Sequence, residues 1–150
     1  MVFLKKIINC VKVLSKEKSL IMIEVKFEYV LHTSPKIIYK LLSTPSGLTE
    51  WFADDILVEG DVYTFVWDGH GQAAKVYKKP HDFFVRYDWV DEEGRFISFK
   101  IQYNKVSKDS DLIITDFVDD EDEIEDLKNL WDTTIIRLKR RLGLPPKIMD

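Results

Sequence analysis

Thr33–Phe52 reads TSPKIIYKLLSTPSGLTEWF. Thr33 or Ser34 offers a side-chain oxygen to the first free N–H groups of a helix, and Pro35 fits its first turn, where a missing N–H costs nothing. Ile37, Ile38, Leu41 and Leu42 give that helix an apolar stripe. Pro45 pushes the residue before it out of the helical region, so the helix ends near Ser43. Thr44-Pro45 then opens a second short turn of helix that delivers Trp51.

On either side of this stretch the period changes. Ile23, Val25, Phe27, Tyr29 and Leu31 alternate with Glu24, Lys26 and Glu28, the pattern of a half-buried strand. Downstream, strands are expected at 54–58, 62–67, 72–78, 83–90, 96–106 and 112–118. Turns at Glu59-Gly60-Asp61, Asp68-Gly69-His70-Gly71, Pro80-His81-Asp82 and Asp91-Glu92-Glu93-Gly94 separate most of them. Short turns between consecutive strands make an antiparallel meander. The chain closes in a helix. Acidic residues crowd its start from Asp119 and basic ones its finish at Arg137, Lys139, Arg140 and Arg141, both complementing the helix dipole. Ile124, Leu127, Trp131, Ile135, Leu138 and Leu142 form its buried stripe, and Gly143 its cap.

The chain has 150 residues, enough for one domain with a real core. The first 21 residues hold five lysines and one glutamate, a balance of +4, so the rest carries −8 of the total −4. An acidic body argues against nucleic-acid binding. The lone Cys10 excludes an internal disulfide. The basic start is interrupted by Asn9 and Lys12, lacks a signal-cleavage site, and is too short and charged to span a bilayer. Ile7, Ile8, Val11 and Leu14 have the spacing of a marginal amphipathic helix. The expected division is an extension over 1–21, disordered or upstream of the true start at Met22, a domain over 22–143 and a tail over 144–150. A cytoplasmic location is expected.

Thr33-Ser34-Pro35, Ile38-Tyr39, Leu41, Thr44-Pro45, Leu48 and Trp51-Phe52 occur in the order of an opening signature. With Leu130-Trp131-Asp132 and Leu138-Lys139 in the terminal helix, they resemble the START-like (SRPBCC) superfamily over roughly 22–143. The branch they resemble is that of the activator of Hsp90 ATPase, and Ser43–Phe52 resembles a bacterial subgroup. The resemblance implies an α+β helix-grip fold. A curved antiparallel sheet of six to seven strands wraps a long C-terminal helix, with two short helices after the first strand. Two departures stand out: an acidic run at 119–126 replaces a glycine-bearing loop, and 150 residues leave no room for the domain by which the eukaryotic activator engages its chaperone.

The family's usual mode is binding in a cavity between sheet and helix. The expected lining is Phe65, Trp67, Tyr87, Trp89, Phe99 and Trp131, with Trp51 at the mouth. The competing reading is that these rings fill the interior, as close packing favours. Thr33–Phe52 is then a lid over a pocket, with Gly47 as its flexible point, or a plug.

No catalytic, metal or cofactor residues are assigned. His32, His70 and His81 fall at turns or strand ends with no metal spacing, and Asp54-Asp55 reads as a solvated turn. Arg86 and Asp88 read as a surface pair. The acidic run lacks the ligand spacing and central glycine of a calcium loop. The leading functional expectation is a non-enzymatic binder of a small hydrophobic ligand, monomeric or homodimeric. A protein-interaction or chaperone-regulating module with a filled core is the alternative, and a cyclase or hydrolase-like enzyme the third.

Overall fold

The computed structural model describes residues 10–14 and 21–145. The expected character of residues 1–9, 15–20 and 146–150 lies outside them. Its elements are strands β1 (Cys10–Leu14) and β2 (Ile21–Leu31), helices α1 (Pro35–Ser43) and α2 (Pro45–Leu48), and strands β3 (Asp55–Glu59), β4 (Val62–Trp67), β5 (His70–Lys79), β6 (Phe84–Trp89), β7 (Phe96–Asn104) and β8 (Asp109–Val118). Helix α3 (Ile124–Arg141) ends the fold.

The strands form one antiparallel sheet in the order β1-β2-β8-β7-β6-β5-β4-β3. The seven expected strands are all present. The eighth, β1, pairs Cys10 with Val25 and Leu14 with Ile21, so the sheet extends upstream of Met22. Helical spacing misleads there. Isolated short helices are unstable in water, whereas the open edge of β2 supplies main-chain partners to a segment rich in valine.

The expected insert forms as read. Ser34 Oγ accepts from the Ile37 N–H, and Thr44, extended before Pro45, caps α2 by accepting from the Gly47 N–H at 3.0 Å. Ending α1 at Pro45 leaves its last carbonyls without helical partners. Side chains take them: Thr44 Oγ1 donates to the Lys40 carbonyl, Trp51 Nε1 to that of Leu41 at 2.7 Å, and Tyr87 Oη to that of Leu42. A Cβ at Gly47 would stand 2.4 Å from the Lys40 carbonyl oxygen. Gly47 is therefore a point of close packing between α1 and α2, not a flexible hinge.

Several strand boundaries differ from expectation, and three of the shifts have a local cause. The β4–β5 turn is only Asp68-Gly69, both at positive φ, which lengthens β5 to His70. Phe83 takes a left-handed φ of 49° after the Pro80–Asp82 turn, so β6 begins at Phe84. Strand β8 begins at Asp109 and carries Ser110 inward, where its hydroxyl holds the Thr33 carbonyl at 2.7 Å.

The core lies on the concave side of the sheet. Val25, Phe27, Tyr29 and Leu31 from β2 meet Phe65, Tyr87, Phe99 and Ile114, with Ile38, Leu42 and Leu48 from the short helices. Helix α3 lays Trp131, Thr134, Ile135 and Leu138 against them. Ile135 and Leu138 are fully buried, each worth roughly 1.5–3 kcal/mol. Its C-terminus closes with Gly143 N–H on the Arg140 carbonyl and Leu144 N–H on that of Lys139.

Candidate functional site

The inward positions of a strand repeat every second residue. On β8 they run Leu112, Ile114, Asp116, Val118; on β5, Gln72, Ala74, Val76. Asp116 and Gln72 are thus polar residues in core register. Both line a cleft of about 400 Å³ between the sheet and α3, with Phe52, Trp67, Trp89 and Ile97 on its walls. Helix α3 contributes Leu130, Trp131, Thr134 and Arg137. Leu130, 61% exposed, marks the solvent side.

Local bonds hold this lining in place. Trp131 Nε1 donates to Asp116 Oδ2 at 2.9 Å, and the Phe117 N–H to Asp116 Oδ1 at 2.7 Å. Trp67 Nε1 donates to the Phe52 carbonyl at 2.7 Å. Phe52 stacks on Trp131 with centroids 5.8 Å apart and meets Trp67 edge-on at 5.4 Å. Thr134 returns its hydroxyl to the Leu130 carbonyl, and Gln72 reaches Glu92 at 3.3 Å. Arg137, exposed at the rim, donates Nε to the Trp51 carbonyl. It also borders a second cleft, of about 320 Å³, which contains Trp51 and Asp54 and shares Phe52 and Trp67 with the first.

Burial pushes the Asp116 carboxyl up to about 6. The Trp131 and Phe117 hydrogen bonds and nearby Arg95 oppose that rise, and Glu92 reinforces it. Elsewhere Tyr29 donates to Asp132 Oδ1 while Lys128 pairs with Asp132 Oδ2, both at 2.7 Å, tying β2 to α3. Burial, and then Asp132, raises the Tyr29 hydroxyl above its usual range.

The seven residues expected to line a cavity divide. Trp67, Trp89 and Trp131 meet at the larger cleft. Phe65, Tyr87 and Phe99 are essentially inaccessible in the interior and line neither cleft. Trp51 borders the smaller cleft but is 3% exposed, its ring packed on Phe52 and Phe99. It plugs the sheet rather than guarding a mouth. Asp116, Gln72 and Phe52, like Ile97, Leu130, Thr134 and Arg137, were not among the expected lining residues. The signal for the first two was a polar side chain in the inward register; Phe52 lies in a loop, where no register exists.

The histidines stay outside this site. His32, His70 and His81 are exposed, and His32 contacts Asp109 at 2.6 Å. Arg86 pairs with Asp88 at 2.8 Å on the outer face, over the rings of Tyr77 and Phe96. Among the described residues no group of three or more His, Cys, Asp or Glu is arranged to hold a metal ion, and no helix is long and apolar enough to cross a membrane. In the acidic run, Asp120 caps a 3-10 turn over Asp122, Glu123 accepts from the Asp119 N–H, and Asp119 pairs with Arg95.

A solved structure from Bacteroides fragilis is 34% identical, with a TM-score of 0.60 over 85% of this chain and 96% of its own. The Aha1 dimer of Colwellia psychrerythraea, 23% identical, has a TM-score of 0.63 over 77% of this chain and 92% of its own, and shares the fold. So does CalU16 of Micromonospora echinospora, 12% identical, with a TM-score of 0.62 over 88% and 83%. No curated protein matches. The family model for the START-like superfamily domain matches residues 19–144, nearly the whole helix-grip unit. The chain belongs to the START-like superfamily.

Proposed function

We propose that this protein binds a small hydrophobic molecule between the sheet and α3 and holds it without catalysis. The observation that carries this reading is the cleft of about 400 Å³ walled by Phe52, Trp67, Trp89, Ile97 and Trp131. Ligand sites are typically concave, mostly apolar and few per protein, with a small number of polar groups that fix orientation. Here Asp116, Gln72, Thr134 and Arg137 are those groups. Many of the interior rings pack as a filled core, so the site is one cleft rather than a hollow grip.

The protein-interaction alternative draws on the acidic run at 119–126. Its carboxylates at Asp119, Asp120 and Glu123 already serve local caps and an ion pair, which leaves less of the run to offer a partner. The Colwellia relative is a dimer. For this chain we propose a cytoplasmic binder acting as monomer or homodimer.

The test is native mass spectrometry of protein purified from its own host, followed by a thermal-shift screen with aromatic and lipid compounds. Retained ligand, or a shift abolished by Trp89→Ala, is the expected result. No retained mass and no shift across the screen would overturn the reading.

A further inference from the structure

Of the polar side chains that line the cleft, one is a carboxyl, which an apolar ligand alone does not need. Asp116 sits at an inward position of β8 among Phe52, Trp67, Trp89, Ile97 and Trp131. An apolar residue there would extend the run of Leu112 and Ile114 and avoid burying a carboxyl. An ionised carboxylate has about four acceptor sites. The structure uses one on each oxygen, for Trp131 Nε1 and for the Phe117 N–H. The remaining acceptor capacity belongs to a group that lines the cleft.

We propose that the ligand is a hydroxylated aromatic molecule, whose rings lie among Phe52, Trp67, Trp89 and Trp131 and whose hydroxyl donates to Asp116. This rests on the ligand-binding reading above and adds the chemistry that selects the ligand. Asp116 is then the specificity-determining residue, and Trp131 positions it through the indole N–H. The charges around the cleft favour a neutral donor over an ammonium. Arg137 from α3 lines the same cleft, and Arg95 from the β6–β7 turn, itself paired with Asp119 and Glu92, also acts on Asp116, with Glu92 opposing it. A cation entering here would meet Arg137 at the rim.

Selectivity of this kind is pH-dependent. The ionised carboxylate accepts a hydroxyl strongly; the protonated one is a weaker acceptor and gains an O–H that can donate to a hydroxyl or an ether oxygen alike. Preference for the donor is therefore full at pH 7.5 and falls as pH drops through the Asp116 range.

The test uses three matched probes on the intact chain: 2-naphthol, its methyl ether 2-methoxynaphthalene, and 2-naphthylmethylamine. Calorimetry supplies affinities at pH 7.5 and 5, and the four tryptophan indole N–H resonances report which cleft is occupied. Expected is naphthol binding tighter than its ether by roughly tenfold at pH 7.5, since a hydrogen bond to a charged group contributes about that factor. The advantage shrinks at pH 5 and in Asp116→Asn, where the protonated carboxyl or the amide offers a donor to hydroxyl and ether alike, and the ether does not weaken in either case. The pH series needs no variant, so the outcome does not depend on how Asp116→Asn folds. Equal affinities of naphthol and ether at both pH values, or tightest binding by the amine, overturn the hydroxyl inference and leave hydrophobic binding standing. No binding by any probe overturns both.

Discussion

The two ends of the α3 groove use the same materials to opposite effect. At the plugged end, Trp51, Phe65, Tyr87 and Phe99 interlock with centroid separations between 5.2 and 6.2 Å, and none is more than 3% exposed. The polar atoms of Trp51 and Tyr87 are met by the Leu41 and Leu42 carbonyls that Pro45 strands at the end of α1. At the open end, Trp67, Trp89 and Trp131 surround a gap, and Asp116 takes an inward position. Aromatic supply does not distinguish a packed end from a cleft. What distinguishes them is whether a neighbouring segment brings side chains and main-chain acceptors into the space. The α1–α2 insert does so at one end only.

The sharpest way to break this contrast is to exchange the fates of two tryptophans. Trp51→Ala removes a buried ring and leaves the Leu41 carbonyl unpaired, so urea denaturation is expected to report a loss of about 3–5 kcal/mol. Trp89→Ala, at a half-buried wall of the cleft, is expected to cost only about 1–2 kcal/mol, while abolishing the thermal shift given by aromatic ligands. Equal losses at the two positions would mean that the open end is as tightly packed as the plugged one.

Tyr87→Phe tests the plug more finely. It keeps the ring and removes the hydroxyl that holds the Leu42 carbonyl, with an expected cost of about 1 kcal/mol. Ligand affinity should not change, because Tyr87 does not line the cleft.

Asp116→Asn has the opposite sign. The folded-state carboxyl titrates near 6 against an ordinary 3.8, so the fold holds its proton more tightly than the unfolded chain does. Stability contributed by this group is therefore full below about pH 4 and is lost as pH rises through 6. The asparagine variant avoids the buried charge but gives up one of the two hydrogen bonds that Asp116 accepts. A net gain of up to about 1 kcal/mol is expected at pH 7, vanishing toward pH 4. A variant destabilised equally at both pH values would show that the carboxylate is structural rather than held ready for a ligand.

Much of the fold is legible along the chain. The two-residue period identifies seven strands, Ser34-Pro35 and Thr44-Pro45 place both short helices, and the charge gradient from Asp119 to Arg141 places the last one. The exceptions are places where local pattern competes with long-range partners. Cys10–Leu14 has helical spacing yet joins the edge of β2, and Phe83 leaves its strand for a left-handed turn.

The candidate site was legible only in part. Trp67, Trp89 and Trp131 are readable as inward rings, but so are Phe65, Tyr87 and Phe99; alternation marks the five on strands alike, and the helical stripe marks Trp131. The sequence by itself determined the order of elements, the inward face of each strand and the apolar stripe of α3, because these follow from local periodicity and capping. Only the tertiary structure decided which inward rings border a gap and that Trp51 is a plug. It also brought Asp116 and Trp131 to hydrogen-bonding distance. Those outcomes depend on how α1–α2 and α3 fill a curved sheet, a matter of volume and close contact between residues far apart in the chain.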